Sequence, residues 1–234
     1  MICDVDEPRL RQCIDAVYDA AVSPALWPAA LERLAPLFHS GFVDLFTRSH
    51  DREHVNGLAH GLDRADYEDN FLGFWFRRNV WALKKPVRVA GEVISTRRMV
   101  DPGDLRRSEI YNEYLHPRGL HEGLRLSLWV GATDLQDISI LRPWSGGPFG
   151  PAEVALGEIL LPHLQRAASV TRRLRDVDFR FETRSEDSGA SRFAVILFDA
   201  AGVPFWFNAA ARGLLAEGRV IRSAGPELQG LSPS

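Results

Sequence analysis

Cysteine is nearly missing. The 234 residues hold two, Cys3 and Cys13, both close to the N-terminus. A disulfide framework is excluded, and so is a thiolate metal site built on a C-x-x-C pair. An excess of one charge is missing as well. Lys and Arg number 28 against 31 Asp and Glu, giving a net charge of -3, so no basic surface for nucleic acid extends over the chain. No apolar run approaches a membrane span, and the opening MICDVDEPRLRQ lacks both the basic start and the apolar core of a signal peptide. The expected location is therefore the cytoplasm. No G-x-S-x-G, P-loop or dinucleotide fingerprint is present, and no internal repeat. What is present, 45% hydrophobic and 25% charged residues, suits a globular chain long enough for one sizeable core and a smaller unit.

Apolar spacing predicts a first helix over 8–22, with Ile14, Val17, Tyr18 and Ala21 on one face. Ser23-Pro24 reads as a cap and first helical proline, opening a second helix through Trp27, Leu31, Leu34 and Phe38. FVDLFT (42–47) and VNGLAHGL (55–62) read as a hairpin. A helix is expected over 63–79, a short strand over 91–97, a turn at Pro102-Gly103 and a helix over 105–115. LRLSLWV (124–130) and ISILR (138–142) alternate as antiparallel strands. Pro151 and Glu153 open a helix expected to reach about Asp176, with a kink at Pro162. Residues 177–192 read as a linker, 193–207 as two strands around a turn, and 209–216 as a short helix. The end, RSAGPELQGLSPS, shows little pattern. Helices around antiparallel strands define an α+β class, with a sheet covered on at least one face.

HDREH, at 50–54, matches H-x-x-E-H, in which two histidines hold zinc and a glutamate activates water. A hydrolase built on His50, Glu53 and His54 would need a third ligand and an apolar helix to hold the pair. This stretch lies in a polar connection between strands, so both histidines are expected to be exposed and unpaired. His116, His121 and Glu122 could form a second ligand set. Pro117 and Gly119 between the histidines instead indicate a helix-to-strand connection. His163 stands beside Pro162 as in a phosphoacceptor helix, but Leu164 and Gln165 follow where an acid is needed. Arg166, Arg172, Arg173 and Arg175 read as a solvated helix face.

Two features point to binding. Leu160, Leu164, Ala167, Thr171 and Leu174 are spaced like a coiled-coil seam and predict a homodimer contact. Phe71, Phe74, Trp75, Trp81 and Trp129 are the candidate ligand-binding residues, an apolar set of the kind that lines small-molecule sites. Phe74, Trp75 and Phe76 are consecutive, so one helix cannot bury all three on a single face.

Three segments together resemble a known family: SPALWPAALERLAPLF (23–38), YNEYLHPRGLHEGLRLSL (111–128) and ISILRPWSGGPFGPAEVALGEILLPHLQRAASVTRRL (138–174). In that order they look like the N-terminal sensory region of LuxR-family helix-turn-helix transcriptional regulators, over about residues 12–176. The resemblance implies a GAF-like sensor domain at 1–176, its last helix (151–176) promoting dimers and leading to an output module. FAVILFDAAGVPFWFNAAARGLL (193–215) is similar to the opening of a PAS-like unit, with Asp199, Gly202 and Asn208 in place. The segment 193–234 is expected to be an incomplete PAS-like unit, and no helix-turn-helix is found, so DNA binding by this chain alone is not expected.

The function expected from this is sensory and non-enzymatic, without a cofactor. A small molecule or partner would bind the GAF-like domain and bias the 151–176 helices. The alternatives are a protein-interaction module with no ligand and the metal-dependent hydrolase at HDREH. A GAF-like redox enzyme would need cysteines in its pocket, where Cys3 and Cys13 do not fall.

Overall fold

A computed structural model of the chain describes residues 6–50, 55–84 and 88–187, and then 194, 196–198, 204–207, 211, 213–215, 221–224 and 227–230. The chain divides into two units, Met1–Ala168 and Ser169–Ser234.

The first unit opens with α1 (Glu7–Val22), capped by Asp6, whose carboxylate accepts from the Arg9 N–H at 3.3 Å. The second expected helix comes in three pieces. A 3-10 turn (Pro24–Leu26) leads into α2 (Trp27–Leu34), and a second 3-10 turn (Ala35–Phe38) follows. Pro24, Pro28 and Pro36 each fall in the first turn of a piece, where the missing N–H leaves no bond unmade. Ser23 holds the cap position, but its side chain makes no capping bond. His39 ends the run in the left-handed region at φ 50°.

Next come β1 (Phe42–Ser49) and β2 (Val55–His60), the expected hairpin. The helix expected over 63–79 is a π-helix (Asp66–Trp75) followed by a single α-turn, α3 (Phe76–Arg78). The wider π turn brings Tyr67, Phe71, Leu72, Trp75 and Phe76 into the interior and leaves Phe74 44% exposed. Then follow α4 (Val80–Lys84) and β3 (Val93–Ser95). Pro102-Gly103 is not a free turn. It begins α5 (Pro102–Arg107), where the Asp101 carboxylate accepts from the N–H groups of Gly103 and Asp104. A π-helical turn (Tyr111–Leu115) precedes β4 (Glu122–Val130), β5 (Asp134–Arg142) and α6 (Pro151–Asp187). Helix α6 continues to Asp187, through much of the stretch read as linker.

The five strands form one antiparallel sheet in the order β2-β1-β5-β4-β3. Its alternating residues feed two separate cores. Val43, Leu45, Leu126, Leu128, Ile138 and Ile140 pack with α1, α2 and α6. Phe42, Phe46, Leu135 and Leu141 pack with the π-helix, α5 and the Tyr111–Leu115 turn. The sheet is thus covered on both faces, an α+β sandwich of three layers.

The expected dimer seam belongs to the first core. Leu160, Leu164 and Ala167 are 0%, 1% and 1% exposed and pack in that core. These three side chains are therefore not open to a partner helix, which corrects the expectation for this part of the seam. Leu174 is half-buried. Cys13 lies in the same core, where burial pushes its thiol up to about 12, so it is not a reactive cysteine.

In the second unit, β6 (Ile196–Phe198) pairs with β7 (Pro204–Phe207), and β8 (Ile221–Ala224) pairs with β9 (Glu227–Gly230). The last hairpin corrects the expectation of an unpatterned end. Asp199, Gly202 and Asn208 lie outside the described residues. Among the described residues, no helix is long and apolar enough to cross a membrane.

Candidate functional site: a charged floor under an aromatic cover

The strand parity that buries Phe42 and Phe46 also buries polar side chains. On β1, Asp44 lies between those phenylalanines. Arg125 and Ser127 alternate with leucines on β4, as Asp137 and Ser139 do with isoleucines on β5. Register aligns them in rows across the sheet. Asp44 pairs with Ser139, Ser139 with Arg125, and Arg125 with Ile94, while Phe46, Asp137 and Ser127 form the next row. A cavity of about 40 Å³ lies over the first row, between the sheet and the helical cover. Asp44, Arg125, Ser139 and Leu141 contribute to its floor, and Phe71, Phe76, Trp81 and Met99 to its cover.

Asp44 is 1% exposed. The Tyr67 hydroxyl donates to its Oδ2 at 3.0 Å, and the Ser139 N–H donates to its Oδ1 at 3.1 Å. Burial nevertheless dominates and pushes the carboxyl up to about 7, with the two hydrogen bonds pulling the other way. Asp137 is also raised by burial, against the pull of Arg88, Arg125 and Arg48. Arg88 donates from Nη1 to Asp137 Oδ2. Arg125, 4% exposed, donates from Nη2 to Glu92 Oε2 at 3.1 Å. Its Nε and Nη1 are buried with no hydrogen-bond partner, and the indole Nε1 of Trp81 is in the same condition.

Of the five sequence candidates, Phe71 and Trp81 line this cavity. The other three lie elsewhere. Phe74 is outside, with the Arg78 guanidinium 3.8 Å over its ring. Trp75 is buried against Tyr114, ring centroids 6.1 Å apart. Trp129 is turned off this face by a β-bulge between Ser127 and Trp129. Past the bulge, Trp129 pairs with Gln136, and it is Val130 that pairs with Leu135 and joins the second core. Asp44, Arg125 and Ser139 were missed. Their alternation with apolar residues reads as the wet side of a half-covered sheet, and only the second helical layer makes it an interior.

The histidines do not build a metal centre. His50 is exposed as expected, but it is not unpaired, since its Nε2 bonds the Gly131 carbonyl at 2.9 Å. Glu53 and His54 lie outside the described residues. Tyr111 Oη and His121 Nδ1 are 2.7 Å apart, and the His116 and His121 rings pack edge to face. Burial first, and then the charge of His116, lower the pKa of His121. Glu122 faces Arg97 instead, accepting from Nε and Nη2 at 3.0 and 2.7 Å. Among the described residues, no three His, Cys, Asp or Glu are grouped to hold a metal ion. His163 Nδ1 bonds Tyr18 Oη at 3.0 Å, tying α6 to α1.

The ILRP and FGPAE motifs meet around Arg142, which is 2% exposed. Its guanidinium donates to Glu153 Oε1 at 3.1 Å and to the Gly147 carbonyl at 2.9 Å, and it lies 3.9 Å over the Phe149 ring. Glu153 Oε2 accepts from the Gly150 N–H at 2.9 Å. The motif fastens the end of β5 to the start of α6, away from the cavity.

No protein-family model matches the chain, and no curated protein does. Solved structures do resemble it. The VqsR LBD domain of Pseudomonas aeruginosa superposes with a TM-score of 0.51 at 14% identity, covering 71% of this chain and 96% of its own. The N-acylhomoserine lactone-dependent LuxR-family transcription factor CepR2 of Burkholderia cenocepacia gives 0.50 at 15% identity, covering 73% and 98%. At such identities the likeness is one of fold. The chain shares its α+β architecture with these two structures.

Proposed function

We propose that this chain is the sensory region of a LuxR-type transcriptional regulator, and that the cavity between sheet and π-helix is its small-molecule site. The observation that carries the reading is the cavity between the sheet and its helical cover, with polar side chains beneath and aromatic ones above, the composition of a ligand site. It sits in a fold whose solved relatives include a lactone-dependent regulator. The role in this reading is binding rather than catalysis.

The signal would pass through the sheet. Arg125, Ser139 and Leu141 line the cavity, while Leu126, Ile138 and Ile140, next to them on the same strands, pack into the core that holds Leu160 and Leu164 of α6. A ligand that fits one arrangement of these strands better than another shifts the population of α6 positions. Helix α6 is the element through which the signal leaves the unit, toward an output module.

The test is a thermal-shift screen of small metabolites on the purified chain, repeated on Leu141→Phe, which narrows the cavity. Ligands that raise the wild-type Tm and lose their effect in the variant support the reading. A second reading, an interaction module with no ligand, is favoured by the modest 40 Å³ volume, well under the ~150 Å³ that admits benzene in an engineered cavity. A screen without a single hit would decide for it.

A further inference from the structure

We propose that the cavity takes a compact carboxylate with an apolar body, its anionic end held by Arg125 and the indole N–H of Trp81. This rests on the sensory reading of the cavity. The first observation is an imbalance of hydrogen-bonding groups. Arg125 Nε, Arg125 Nη1 and Trp81 Nε1 are buried donors with no partner, and both residues line the cavity. Buried donors left unpaired are costly and rare, so three at one cavity mark where an acceptor belongs. The unpaired acceptors nearby, Asp137 Oδ1 and Ser127 Oγ, belong to residues off the lining.

Charge gives the second observation. Arg48, Arg88 and Arg125 meet Asp44, Asp137 and Glu92 around this face of the sheet. Burial holds Asp44, the carboxylate on the cavity floor, toward its neutral form near neutral pH, so it sets less negative charge beside Arg125. Arg is the side chain best suited to receive a carboxylate.

Shape gives the third. Phe42, Phe71, Phe76, Met99 and Leu141 supply apolar walls, so the rest of the ligand is apolar. The small volume limits it to a short or single-ring body, admitted by side-chain shifts of the cover.

The experiment uses matched probes on the whole 234-residue chain: benzoate and phenylacetate against benzamide and phenylacetamide. Affinity is read by calorimetry and Tm. The acids are expected to bind about tenfold tighter than their amides, a preference removed by Arg125→Met and reduced by Trp81→Phe. Should Arg125→Met fail to fold, the acid-to-amide ratio in the wild type and in Trp81→Phe still decides. Amides that bind as well as the acids, or acids that bind Arg125→Met unchanged, overturn the proposal and leave the sensory reading intact. If neither acids nor amides bind, this proposal falls, and the metabolite screen decides the sensory reading separately.

Discussion

The Tyr67 hydroxyl donates to Asp44 at 3.0 Å with both side chains buried, and this bond fastens the π-helix to β1 at the edge of the cavity. Burial of the same carboxyl shifts its titration, against the pull of this bond. The Asp44 carboxyl is raised from 3.8 to about 7 on folding, so the folded state binds its proton more tightly than the unfolded chain does. Stability from this group is fully present below the unfolded pKa and is lost as pH rises toward 7. Wild-type Tm should therefore fall between pH 4 and 7 relative to Asp44→Asn. Melting both proteins across that range checks it. Asp137, raised in the same direction, keeps part of the slope in the variant.

Gly57 faces Tyr67 across that bond. A Cβ there would lie 2.7 Å from the Tyr67 hydroxyl and 2.9 Å from the Leu45 carbonyl. Gly57→Ala is expected to cost about 1–3 kcal/mol through overpacking and to displace the phenol from Asp44. Chemical denaturation gives the first quantity. A Tyr67→Phe background gives the second, because there the cost of the alanine should shrink.

Leu160 separates two views of α6. As a side chain of the first core it should cost about 2–5 kcal/mol when cut to alanine, with no change in oligomeric state. Sedimentation of Leu160→Ala beside the wild type, together with its denaturation curve, decides. Dissociation of an oligomer without loss of stability would restore the seam as an interface.

Arg142 joins Phe149 and Glu153 to the end of β5, and it is almost fully buried. Arg142→Met removes the ion-pair partner of Glu153, which keeps only its bond from the Gly150 N–H, and should destabilise the unit by about 1–3 kcal/mol. Because Arg142 does not line the cavity, ligand affinity in whatever fraction folds should stay within about twofold, by the near-additivity of distant sites. A combined melt and binding titration tests both.

Much of the fold was legible, because it rests on periodicity. The strands β1, β2, β4 and β5 alternate, and α1 has its apolar stripe. The π-helix was not legible, since a 3.6-residue template places Tyr67 and Phe71 correctly and cannot foresee a wider turn that buries Trp75 and Phe76 together. The seam on α6 was misread because a helix lying on a sheet shows the same 3–4 spacing as one lying on its twin. The polar floor was missed for a related reason. Asp44, Arg125 and Ser139 have the spacing of solvent-facing residues, and nothing local in the sequence says that a second helical layer closes over them.

The bulge in β4 has a consequence of its own. Leu126 and Val130 are an even number of residues apart, yet one belongs to the α6 core and the other to the core beneath the π-helix. A substitution scan along this strand would show a period of two with a phase slip after Leu128. Before the slip, odd positions belong to the cavity face of the sheet and even ones to the α6 core. After it the assignments exchange, so one strand reports to both sides of the sheet in opposite order.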